Sequence, residues 1–130
     1  MPHFILEYSS NLAGELDLPS LFRALHATAV ETGVFPLGGI RFRAVRCDDY
    51  LIADGNPENA FVHLTLKMGH GRPLDVRKAA GEKLFAAMCD HLHPNYQRRP
   101  LGISFEISEL NPELNYKKNN MHGYSEGGTG

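Results

Sequence analysis

The chain has 130 residues, with 13 Lys and Arg against 15 Asp and Glu, a net charge of −2 and a pI near 6.4. That length gives one domain able to bury its own core, and the charge balance offers no global field for nucleic acid or an anionic membrane surface. No apolar run reaches the roughly 18 residues of a membrane span, no signal peptide is visible, and the two distant cysteines, Cys47 and Cys89, read as reduced structural thiols of a cytoplasmic protein.

The opening, Met1-Pro2-His3-Phe4-Ile5-Leu6, is an apolar strand preceded by proline. His3 to Tyr8 alternates, with Phe4, Leu6 and Tyr8 on one face and His3, Ile5 and Glu7 on the other. Pro2 shares the parity of Phe4. Asp17 then precedes a helical stripe of Leu18, Leu21, Phe22, Leu25, Ala29 and Val30. Asp17 is the expected cap, Pro19 sits in the first turn where its missing N–H costs little, and Gly33 is the expected stop. After the turn Phe35-Pro36-Leu37-Gly38-Gly39 a second strand runs from Ile40 to Cys47. Asp48-Asp49 and Ala53-Asp54-Gly55-Asn56-Pro57 are loop chemistry and mark the midpoint.

The second half repeats the plan. Ala60 to Met68 is a strand with Val62, Leu64, Leu66 and Met68 on one face. Gly69-His70-Gly71-Arg72-Pro73 turns the chain into a helix with a stripe of Val76, Ala80, Leu84, Phe85, Met88 and Leu92. Gly81 lies on that stripe, as a close approach to a sheet would require, and His93-Pro94-Asn95 is the expected end. Leu101, Ile103, Phe105 and Ile107 line a fourth strand. The domain therefore covers 2–122 in two repeats, about 2–57 and 58–122, and the polar, glycine-rich tail 123–130 is expected to be disordered.

The order is βαββαβ, an α+β fold. Right-handed crossovers put both helices on one face of a four-stranded mixed sheet. The other face carries Ile5, Val45 and Phe61 among His3, Arg41, Arg43, His63 and Thr65. A mixed face of that kind favours a partner copy, hence a homo-oligomer.

Topology brings three reactive residues toward one sheet end. The starts of parallel strands one and two coincide, which places Pro2 near Arg41. If strand three pairs antiparallel beside strand one, its end returns Arg72 to the same place, from the same or a neighbouring subunit. Initiator methionine is normally removed before a small residue such as proline, which would leave Pro2 with a free secondary amine. Burial and nearby guanidinium groups both lower the pKa of such an amine toward the range of a useful general base. Two arginines suit carboxylates and a developing enolate. Arg43 and Arg46 are read as solvated or surface-paired side chains. His70, between glycines beside Arg72, is a weaker pocket-lining candidate. The seven histidines show no metal-ligand spacing, and neither a phosphate-binding loop nor a nucleophile elbow is present.

Several segments, in one register, resemble the 5-carboxymethyl-2-hydroxymuconate Δ-isomerases of the tautomerase superfamily. They are Pro2-His3-Phe4-Ile5, Phe35-Pro36-Leu37-Gly38-Gly39-Ile40-Arg41, Ala53-Asp54-Gly55, Phe61-Val62-His63-Leu64-Thr65-Leu66-Lys67, Gly71-Arg72, Ser104-Phe105-Glu106-Ile107 and Leu114-Asn115-Tyr116-Lys117. The resemblance implies the tautomerase fold (4-oxalocrotonate tautomerase-like), a homotrimer and a cofactor-independent, metal-free isomerase of homoprotocatechuate (4-hydroxyphenylacetate) degradation. Its substrate would be a small polycarboxylate. Pro2 matches the family's proton-carrying proline, and Arg41 and Arg72 match its arginines, Arg41 as a catalytic and substrate-binding group and Arg72 as a substrate-binding one. The second repeat starts at Ala60-Phe61 without a proline of its own, as in a fused pair with one active copy.

Other readings share parts of this pattern. A tautomerase for another 2-hydroxydienoate or a phenylpyruvate-like enol would use the same residues, and an inactive trimeric scaffold would keep only the fold. A ferredoxin-like RNA-binding module has the same βαββαβ order, but strand three, Ala60-Phe61-Val62-His63-Leu64-Thr65, has one aromatic residue and no preceding basic-glycine pair.

Overall fold

The structure, a computed structural model, describes residues 1–124. The glycine-rich end expected to be disordered lies, from residue 125 onward, outside the described residues. The elements are β1 (His3–Ser9), α1 (Leu18–Thr32), β2 (Arg41–Cys47), β3 (Ala60–Met68), α2 (Leu74–Arg98) and β4 (Leu101–Glu109), with short 3-10 turns at Ser10–Leu12, Leu37–Gly39 and Met121–Gly123.

The four strands form one mixed sheet in the order β2-β1-β3-β4. β1 pairs parallel with β2, starting at His3 opposite Arg41. It pairs antiparallel with β3, His3 opposite Lys67. β3 pairs parallel with β4. Each parallel pair needs a crossover, and α1 and α2 supply them. The two β-α-β units are thus joined back to back through β1 and β3, as the sequence pattern predicts.

Period-two alternation decides which face is dry. Phe4, Leu6 and Tyr8 of β1 and Val62, Leu64, Leu66 and Met68 of β3 are all buried. They meet Leu21, Leu25 and Ala29 of α1 and Leu84, Met88 and Leu92 of α2 in a single core. At its β2 edge Phe4 stacks on Phe42 with ring centroids 4.3 Å apart, and Phe35 meets Phe4 edge-on at 5.8 Å. The opposite face is half-exposed at Ile5, Phe61, His63 and Thr65, and Val45 keeps 43% of its surface in solvent.

α1 begins and ends where its sequence signals it. The Ser20 backbone N–H donates to Asp17 Oδ1 at 3.1 Å. Gly33 closes the helix at φ 70°, the left-handed conformation glycine adopts without strain. Val30, expected on the buried stripe, points outward at 44% exposure. α2 departs further from expectation: it does not stop at His93-Pro94-Asn95 but continues through Pro94 to Arg98. Pro94 and Asp90, whose carbonyl loses its i+4 donor, are both exposed, so water can satisfy that carbonyl. Leu92 and Asn95 on either side are buried. Just beyond the helix, Arg99 holds Glu15 at 2.6 Å and the Glu58 carbonyl at 2.9 Å. Tertiary anchoring outweighs the proline.

Gly81 faces β4, where an added Cβ would lie 2.9 Å from Ile107 Cδ1. The midpoint loop is knitted by its own side chains. Asp54 Oδ1 accepts from the Asn56 backbone at 3.1 Å and from Asn59 Nδ2 at 2.9 Å, and these bonds hold the Asp54 carboxyl below its ordinary pKa.

Candidate active site

The edge of the sheet where β1 and β2 begin is built from the amino terminus, the Leu37–Gly39 turn and the chain after β4. Pro2 is buried, and its carbonyl accepts from the Arg41 backbone N–H at 3.2 Å. The turn folds tightly, with Gly39 N–H on the Pro36 carbonyl at 3.0 Å. A Cβ on Gly39 would stand 3.2 Å from Pro2 Cδ and 3.4 Å from Met1 Cα. Glycine at this position lets the turn close against the terminal residues.

Arg41 is the first residue of β2 and leaves the sheet end on the same side. Its Nε donates to the Gly39 carbonyl at 3.3 Å, which fixes the guanidinium plane. Its Nη2 is buried and, among the described residues, has no hydrogen-bond partner. A buried guanidinium N–H without an acceptor is costly, and a bound carboxylate or enolate oxygen would satisfy it.

Arg72 arrives from the other repeat. Gly71, at φ 114°, makes the turn after β3, and its N–H donates to Glu109 Oε2 at 3.3 Å. Arg77 Nε donates to the Arg72 carbonyl at 3.0 Å, while Arg77 Nη1 pairs with Glu109 at 3.4 Å. Glu109 is thereby occupied by Arg77, and Arg72 enters none of the ion pairs among the described residues.

The electrostatics tie these pieces together. Burial lowers the pKa of the Met1 amine most, and Lys117, Arg41 and Arg72 lower it further by their positive charge. Both arginines thus act on the amino terminus of their own chain. In this form Pro2 nitrogen is an amide; without Met1, the amine moves one residue inward, to the buried Pro2, toward the same cations. His3 is also pushed down, first by burial, then by Arg43, Arg41, the terminal amine and Lys67. Its Nδ1 lies 3.0 Å from Arg43 Nη1. Arginine can only donate, so Nδ1 accepts and the ring is neutral.

Sequence reasoning named Pro2, Arg41 and Arg72, and the structure brings the three to one end. Arg43 and Arg46 are surface-paired as read, Arg46 with Asp48 at 2.8 Å. His70 is exposed. Lys117, Asn119 and His122 were not singled out, because no periodicity marks the chain after β4. Asn119 Nδ2 donates to the Gly38 carbonyl at 2.9 Å, and His122 covers Gly38 so closely that a Cβ there would lie 2.6 Å from its Nδ1. The one available signal was the Leu114-Asn115-Tyr116-Lys117 segment. Two of the larger cavities, of about 480 Å³ and 620 Å³, run along α2 and β4 and include none of these residues. Among the described residues no three His, Cys, Asp or Glu side chains gather as around a metal ion.

The profile of the family described as 5-carboxymethyl-2-hydroxymuconate isomerase matches residues 2–124. A 5-carboxymethyl-2-hydroxymuconate Delta-isomerase of Escherichia coli is 49% identical over 122 residues, covering 94% of this chain and 97% of that protein. The crystal structure of a 5-carboxymethyl-2-hydroxymuconate isomerase from Deinococcus radiodurans R1 superposes with a TM-score of 0.89 at 42% identity, covering 95% of this chain and 92% of that one. A fused 4-OT described as a symmetric trimer shares the fold at 14% identity and a TM-score of 0.62, over 89% of this chain and 93% of that one.

Proposed function

This chain belongs to the 5-carboxymethyl-2-hydroxymuconate isomerase family, and from that premise we propose how it works: the amine of Pro2, freed by removal of Met1, carries a proton across the substrate between Arg41 and Arg72. The protein is an enzyme, an isomerase of 5-carboxymethyl-2-hydroxymuconate. The reaction needs no oxidant. The amine takes the proton of the C2 hydroxyl, C2–O becomes a carbonyl, and the C2=C3 double bond moves to C3=C4. The C4=C5 electron pair accepts the proton at C5, and the product is 5-carboxymethyl-2-oxohex-3-ene-1,6-dioate.

Each residue has a task that follows from its chemistry. A base must be unprotonated to start, and the burial and three cations that lower the pKa of the Met1 amine favour a neutral amine at Pro2 as well. Arg41, with its plane set by Gly39, offers an unsatisfied Nη2 to the oxygen that gains charge as the enolate forms. Arg72 binds a carboxylate. The observation that carries this reading is the buried, acceptor-less Arg41 Nη2 beside the amino terminus. Intact mass and an ultraviolet assay of dienol-to-ketone conversion on one preparation test it. The expected result is loss of Met1 together with turnover; full activity with Met1 retained removes the amine from the mechanism.

The same reading places the enzyme in the cytoplasm, where its two free thiols stay reduced, and in aromatic catabolism (homoprotocatechuate breakdown), since its substrate is a ring-opened dienoate. It also makes the protein a homotrimer. The half-exposed sheet face with Ile5, Phe61 and Val45 supports this, as does the symmetric trimer of the fused 4-OT with the same fold.

A further inference from the structure

We propose that Lys117 is a substrate-binding residue, and that it holds the carboxymethyl carboxylate of the substrate as the third cation of the site. The inference rests on the reading above and extends it to a part of the chain with no regular secondary structure. The substrate's name gives its charge: a muconate has two terminal carboxylates, and the carboxymethyl branch adds a third. Arg72 holds one, and the fork of Arg41, aimed at the C2 oxygen, can share the adjacent C1 carboxylate.

The fold brings the segment that carries Lys117 to the same end of the sheet. Two residues on, Asn119 is fastened to the Gly38 carbonyl at 2.9 Å. The next residue, Gly39, stands against Pro2 Cδ and Met1 Cα. The Met121–Gly123 turn covers Gly38 through His122. This strap fixes the chain just after Lys117 against the turn on which the amino terminus rests, and Lys117 is the first of the three cations that act on the terminal amine. Lys117 is exposed and enters none of the ion pairs among the described residues.

Substrate chemistry suits a cation in that position. The proton is delivered to C5, so C5 must approach the amine. The carboxymethyl branch grows from C5, and its carboxylate is one methylene away. A flexible, exposed ammonium suits a mobile arm at the rim, whereas the oriented Arg41 fork suits the planar enolate end.

The test compares 5-carboxymethyl-2-hydroxymuconate with 2-hydroxymuconate, which lacks the branch, on full-length enzyme at a pH where kcat/KM no longer changes. Lys117→Met should raise KM for the branched substrate about tenfold, the low end for an exposed charged hydrogen bond. The loss in kcat/KM for 2-hydroxymuconate should be several-fold smaller, and Lys117→Arg should restore most of the loss. Equal losses on both substrates, or no loss on either, overturn the assignment while the wild-type enzyme still supports the reading of Pro2. Failure of the wild-type enzyme to isomerise the branched compound overturns both.

Discussion

At the scale of single residues, the site is a problem of charge placed on little protein. Arg41 is the sharpest case, because one nitrogen is fixed to Gly39 and another has no acceptor among the described residues. Arg41→Ala should lower kcat/KM about 10²-fold, the magnitude of losing one donor to a developing oxyanion. Arg41→Lys should recover little, because an ammonium cannot reproduce the planar fork. Retention of Met1, which turns the Pro2 nitrogen into an amide, should lower kcat by about 10²-fold or more, the usual worth of a positioned acid–base group, with the thermal melting curve unchanged. The amine also sets a pH dependence. The Met1 amine has its pKa lowered in the folded state by burial, Lys117, Arg41 and Arg72, and an amine moved inward to Pro2 faces the same cations. Activity should therefore rise with pH through an inflection below the ordinary value of a free prolyl amine. The sign for stability is the same. Between the folded and unfolded pKa values the unfolded chain holds the extra proton, so stability rises with pH across that window and the penalty is complete below the folded pKa. A kcat/KM profile with its acid limb at or above the ordinary value would contradict the placement of the cations.

At the scale of elements, helices end where side chains and neighbours let them, and a proline is only one vote. α1 obeys local rules: Asp17 caps it and Gly33 stops it. Asp17→Ala should cost about 1 kcal/mol in chemical denaturation. α2 overrides its local rule at Pro94, since the proline faces water while Leu92 and Asn95 stay buried and Arg99 is tied to Glu15 and Glu58. Gly81 separates two explanations for a glycine on a buried stripe. A Cβ there meets only Ile107 Cδ1, the end of a flexible side chain, at 2.9 Å, with Phe105 Cε2 next at 3.8 Å. Gly81→Ala should thus stay within about 0.5 kcal/mol of wild type, because the helix-propensity gain offsets the shift of Ile107. Gly81→Leu should lose about 1–3 kcal/mol through overpacking. Equal stability of the two variants would show that α2 does not closely approach β4 at this point.

At the scale of the whole molecule, the two β-α-β units bury one face of the sheet and leave the other half-exposed, the face that the proposed trimer would cover. Replacing Val45 and Phe61 together with Glu should convert a trimer to monomers in light scattering, while each chain keeps its helical circular dichroism. A monomeric wild-type protein would refute the assembly. The strands, α1 with both its ends, and the pairing of two repeats were legible in the residues, because period-two and period-3.6 patterns are local and strong. The gathering of Pro2, Arg41 and Arg72 at one end was legible too, because parallel and antiparallel pairing rules carry residues at strand ends to a common edge. The βαββαβ order alone did not separate an isomerase from an RNA-binding module; family-specific words along the chain did. Tertiary structure alone decided the continuation of α2 through Pro94, the unsatisfied Arg41 Nη2 and the return of Lys117 to the amino terminus. Each depends on contacts between residues far apart in the chain, and a segment without periodicity reveals its position only through the groups that hold it.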